Sequence, residues 1–125
     1  IIKSILKNVK QQKQGLYLLV ADQSPMLHKS LYWTEFLNVH VPIFTGAEMI
    51  SKKFNFAVVN MNTTKIKRGY YESEFELITK TPNELSNNEI TNAYLRITEK
   101  HIYKQPEFYL WSHKRFKHRD KAQKS

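Results

Sequence analysis

The chain reads as an α/β protein, a mixed sheet flanked by helices, on three observations. An amphipathic opening runs to a glycine and is followed at once by a short apolar run ending in Ala-Asp-Gln. Two segments rich in aromatic and β-branched residues, FNFAVVNMNTT and YYESEFELIT, lie on either side of a glycine-containing turn. A longer helical repeat with its own start signal comes after them. Helix and strand interleaved, with polar residues at a strand's end, is the order an α/β sheet requires.

IIKSILKNVKQQKQ places Ile2, Ile5, Leu6 and Val9 on one face, which predicts a helix ending before Gly15 as its stop. LYLLV then predicts a buried strand with Asp22 and Gln23 at its C-terminal end, where α/β sheets hold ligands. Residues 24–35 read as a loop and FLNVHVPIF as a short strand. Gly46 leads into AEMISKKF, one or two helical turns. KIKRG joins the two β-rich segments into a hairpin, with Gly69 free to take φ > 0. In the second, Tyr71, Ser73, Phe75 and Leu77 share one face and Glu72, Glu74 and Glu76 the other, predicting a half-exposed strand. Ser86 and Glu89 stand at capping-box spacing. Ile90, Tyr94, Ile97 and His101 then recur at helical intervals to about Lys104, with Pro106 as the stop.

The 125 residues predict one domain, 1–125, without repeat or linker. Hydrophobic and charged shares of 41% and 25% fit a folded chain. The absence of cysteine excludes thiol chemistry and fits a cytosolic setting. No apolar run approaches the roughly 18 residues of a membrane span. The net charge of +9 lies entirely at the ends. Residues 1–14 hold four lysines and no acid, residues 113–125 six basic residues against Asp120, and the stretch between has ten of each sign. Two readings stay open: a face drawn to an anionic partner, or solvated termini with a frayed tail at 113–125.

For chemistry the residues alone offer little. The five histidines are scattered, and His113 and His118 sit among cations, so no metal site is expected. Phosphate-loop, dinucleotide and serine-elbow motifs are missing, and no cofactor is expected. Asp22 and Gln23 read either as ligand-facing groups at a strand mouth or as turn formers.

Four blocks in order, GLYLLVADQSP, VPIFTGAEMISKKFNFAVVNMN, KIKRGYYESEFELI and PEFYLWSHKRFK, resemble the C-terminal half of the bacterial lipid A biosynthesis (lauroyl/myristoyl) acyltransferases. That family belongs to the lysophospholipid acyltransferase-like group. The last block is similar to its Pro-Glu-x-x-Leu-Trp-x-His-x-Arg-Trp-Lys signature, with Phe116 in place of the usual tryptophan. The resemblance implies the C-terminal part of a glycerolipid-acyltransferase-like domain. It also implies transfer of a fatty acyl chain from acyl carrier protein to a hydroxyl of a lipid A precursor, at the cytoplasmic face of the inner membrane. The general base of the family is the histidine of a His-x4-Glu/Asp motif. Here His28 is followed at that spacing by Trp33 and His40 by Thr45, and no other histidine fits. The expectation is therefore a soluble fragment, inactive alone, of a membrane-associated O-acyltransferase.

By the same resemblance Asp22, Gln23, Gly46, Glu48 and Arg68 fall on substrate-binding blocks, with Arg68 as an anion contact. Lys114, Arg115, Lys117 and Arg119 would face an anionic membrane or the acidic carrier protein, while Phe108 and Trp111 pack on the fold. Self-association through an uncovered sheet edge is a further expectation. Two other readings are a nucleic-acid-binding module using the basic tail and a non-catalytic lipid-binding homologue. The first leaves the ordered sheet and neutral middle unexplained, so nucleic acid is not an expected partner.

Overall fold

A computed structural model describes residues 2–121; Ile1 and the last four residues of the 113–125 tail lie outside the described residues. The elements run α1 (Ile2–Lys10), β1 (Trp33–Phe36), β2 (Val39–Pro42), α2 (Gly46–Phe54), β3 (Val58–Lys67), β4 (Tyr70–Thr79) and α3 (Glu89–Lys104). The mixed α/β class is as expected. The strands form two separate antiparallel pairs, β1–β2 and β3–β4, in place of one mixed sheet.

The missing member is LYLLV. Tyr17 and Leu19 turn toward the body while Leu16, Leu18 and Val20 are exposed, and none of the strands pairs with this segment. An extended segment becomes a strand only when a neighbour takes up its N–H and C=O groups. Side chains hold it instead. Tyr17 stacks on Phe56 at 5.6 Å and accepts a hydrogen bond from the Asn8 amide at 3.0 Å.

β1–β2 is a hairpin where the sequence suggested a loop and a single strand. Leu37 and Asn38 both take left-handed φ, 51° and 61°, the turn geometry that matches the twist of paired strands. Asparagine suits that region and leucine does not, so the turn carries only half its usual signal. α1 likewise stops at Lys10, before the glycine, because Gln12 turns to φ 52° and the Lys13 N–H bonds the Asn8 carbonyl.

The core forms where this hairpin meets α3. Phe36, Val41 and Ile43 pack with Leu95 and Ile102, and Tyr109 and Phe116 close the cluster. The polar side chains of α3 grip neighbouring backbone. Glu99 accepts the Leu37 N–H at 2.7 Å, and Arg96 donates to the Glu35 carbonyl at 2.6 Å. At the other end Gln105 accepts from the Lys65 N–H at 3.2 Å and donates to the Lys65 carbonyl at 3.0 Å. One side-chain amide thus stands in for a strand and covers part of the β3 edge. The apolar row Val59, Met61, Phe75 and Leu77 does share one face of β3–β4, yet it remains exposed, as does nearly all of β4.

The first turn of α3 is capped from another helix. The buried Glu48 carboxylate accepts from the Asn88 N–H at 2.7 Å, the Thr91 N–H at 3.0 Å and the Thr91 hydroxyl at 2.6 Å. Lys52 pairs with it at 3.1 Å. The predicted box contributes only its return bond, from the Ser86 N–H to the Glu89 carboxylate at 2.8 Å. Burial by itself raises the Glu48 pKa, but the bonds from Thr91, Lys52 and Asn88 outweigh it and hold the carboxyl below the usual value of 4.5. A depressed pKa stabilises the fold above the unfolded value, and that contribution is lost as pH falls through the folded one. Glu48→Gln should cost about 1–3 kcal/mol at neutral pH. In denaturant titrations the gap from wild type should narrow as pH drops below 4.5.

Candidate functional site

Two of the four resembling blocks, some ninety residues apart, meet in space. The Ser24 N–H donates to His113 Nε2 at 3.1 Å, and the Ser24 hydroxyl donates to the Arg115 carbonyl at 2.7 Å. Beyond the short helical turn Pro106–Phe108, residues 109–121 have no regular structure, so side-chain bonds like these decide their path.

The Arg115 side chain runs inward and is 1% exposed. One guanidinium nitrogen donates to the Pro42 carbonyl at 3.1 Å, the group lies 5.2 Å over the Phe36 ring, and Nη2 is buried without a partner among the described residues. Burial lowers the pKa of this group, while Tyr109, Asp22 and Tyr94 act in the opposite direction. An arginine still keeps its proton at neutral pH. The position therefore holds a buried cation, with the Asp22 charge acting on it from the neighbouring block.

Asp22, Tyr94 and Tyr109 line a cleft of about 210 Å³ between α3 and β3, with Asn60, Asn62 and His101 on its walls. Burial pushes the Tyr94 phenol up to about 12. It raises Tyr109 as well, where Arg115 pulls downward and Asp22 upward. Both phenols stay neutral across the physiological range, and the cleft mixes polar walls with the apolar side chains of Met61, Ile102 and Phe108 around one carboxylate. Its volume is below that of pockets that bury a whole drug-sized ligand, so it suits one unit of a larger molecule. No group of potential metal ligands occurs among the described residues.

The other expected site residues are dispersed. Gln23 is exposed beside Asp22. Gly46 opens α2, and a Cβ added there would meet nothing within 4 Å. Arg68 lies in the turn between β3 and β4 and does not line the cleft. Glu48 needs correction: its carboxylate is occupied by the α3 cap and faces the interior rather than a substrate. Arg115 needs the same, since a buried guanidinium cannot face a membrane. Lys114, Lys117 and Arg119 are exposed. Phe108 and Trp111 pack only in part: Lys65 sits 5.0 Å above the Phe108 ring, and Trp111 meets Tyr109 edge-on at 4.8 Å.

Sequence reasoning gave no site role to Ser24, Tyr94 or Tyr109, and weighed His113 only as a metal ligand. Tyr94 entered only as a member of a helical repeat, and Ser24 as the start of a loop. His113 and Tyr109 lie inside the terminal signature, which was the available signal.

Residues 1–118 match the family model of bacterial lipid A biosynthesis acyltransferases, and the chain belongs to that family. Comparison with curated proteins and with solved structures returned no match.

If Ser24 is the joint between the two blocks, Ser24→Ala should cost about 1 kcal/mol. Amide hydrogen exchange should speed up at residues 113–116 while β1 and β2 keep their protection. Unchanged exchange in 113–116 would mean that the joint carries no weight.

Proposed function

We propose that these residues form the acceptor-positioning part of an O-acyltransferase that moves a fatty acyl chain from acyl carrier protein to a hydroxyl of a lipid A precursor. Membership of an acyltransferase family supports the reaction class. The observation that carries the positioning role is the meeting of Ser24 with the terminal block beside a cleft holding Asp22.

In the reaction a histidine held by its carboxylate removes the acceptor's hydroxyl proton. The alkoxide oxygen attacks the thioester carbonyl, and the carrier thiolate leaves. No histidine of this sequence has a carboxylate at the family spacing, so the base comes from outside these 125 residues, which act as a fragment of a larger enzyme. The fragment's share is geometric. Asp22 accepts hydrogen bonds from the acceptor's hydroxyl or amide groups, and Gln23 extends that contact. Lys114, Lys117 and Arg119 meet the anionic headgroups of the inner membrane's cytoplasmic face or the acidic carrier protein.

Titration of the chain with a lipid A precursor, followed by tryptophan fluorescence, should show saturable binding that weakens about tenfold in Asp22→Ala. Acyl carrier protein thioester added to the chain alone should give no acylated product. Equal binding by Asp22→Ala would remove the positioning role, and product formation by the chain alone would show that the base lies within it.

A further inference from the structure

The tip of the β3–β4 hairpin has a composition that neither the core nor the cleft uses. From Ile66 to Tyr71 it carries Lys67 and Arg68 with no carboxylate, interleaved with Ile66, Tyr70 and Tyr71, while Lys65 at its base is half-buried with its ammonium 5.0 Å over the Phe108 ring. The register shifts between Lys65 and Lys67, so Ile66 sits in a bulge without a cross-strand partner and is 60% exposed. A bulge of this kind re-aims a side chain away from the sheet. Tyr70 and Tyr71 are 60% and 65% exposed, and the Lys67 ammonium lies 4.3 Å over the Tyr70 ring. Gly69, at φ 79°, makes the reversal.

We propose that this tip is an insertion point for an anionic lipid surface. Lysine and arginine next to a bilayer are attracted by acidic headgroups, tyrosine settles at headgroup level, and a projecting isoleucine reaches the acyl boundary. An acidic protein would satisfy the cations but leave the three exposed apolar side chains without a purpose. The charges behind the tip orient it. Glu72, Glu74 and Glu76 pair across from Thr64, Asn62 and Asn60 on the opposite face from Phe75, so an anionic surface repels that face while attracting the turn. The base is held firmly as well, since Gln105 clamps Lys65 at both its backbone groups. The inference rests on the tip's own residues and not on the acyl-transfer reading, and vesicle binding is measurable whether or not transfer occurs.

The sequence has no cysteine, so Ile66→Cys can carry a polarity-sensitive dye, with the exposed Asn87→Cys as the remote control. Vesicles of phosphatidylcholine doped with phosphatidylglycerol should blue-shift the dye at 66 and leave it unchanged at 87. Lys67→Gln and Arg68→Gln combined should weaken vesicle binding about twenty-five-fold, roughly fivefold for each cation. Circular dichroism of the double variant checks that the fold persists. Vesicle binding with a water-like signal at 66 would place the contact elsewhere, at the basic ends, and overturn the proposal. So would unchanged binding by the double variant, or binding to acyl carrier protein without any vesicle partition.

Discussion

A guanidinium removed from water is the constraint around which the terminal half of this structure is arranged. Arg115 is buried on the Phe36 ring with, among the described residues, a single direct oxygen partner, the Pro42 carbonyl. Burying such a cation is unfavourable unless other groups repay the lost hydration. Pro42 ends β2, and Phe36 ends β1, so the arginine bonds a stretch without regular structure onto the hairpin that forms the core. Ser24 then ties the Ala-Asp-Gln block to the backbone of the same arginine. The two bonds of Ser24 thus place Asp22 and the terminal block in one region.

α3 supplies the frame for this arrangement. Its Glu99 bonds the β1–β2 turn, Gln105 just beyond its end bonds the edge of β3, and Glu48 of α2 caps its start. Few of these contacts are apolar. Most satisfy backbone groups that hairpins and helix ends leave open, which is how a chain with two small sheets holds a defined shape. The cleft lies between α3 and β3, so the same bonds that cover the strand edge also set the width of the site.

Much of this was legible in the residues, and the failures have physical causes. Strict alternation marked β4, the helical repeat marked α3, and the glycine marked the turn between β3 and β4. The apolar run at 16–20 misled because burial on both faces depends on neighbouring strands, which a local pattern cannot guarantee. The β1–β2 turn was hidden because leucine occupies a left-handed position. At the site, Asp22 was visible from its place after an apolar run. Glu48 drew a substrate role from the block it falls on, and Arg115 an outward one from the cations around it; their bonds to distant backbone depend on tertiary packing that sequence spacing does not encode.

The negative charge of Asp22 opposes the effect of burial on the Arg115 guanidinium, a coupling at a distance between two blocks far apart in sequence. A double-mutant cycle with Asp22→Asn and Arg115→Met, read by denaturant unfolding at neutral pH, tests it most directly. Asp22→Asn should destabilise the protein with Arg115 present and have little effect in the Arg115→Met background, a coupling of about 0.5 kcal/mol or more. Additive effects, within about 0.3 kcal/mol, would contradict the account.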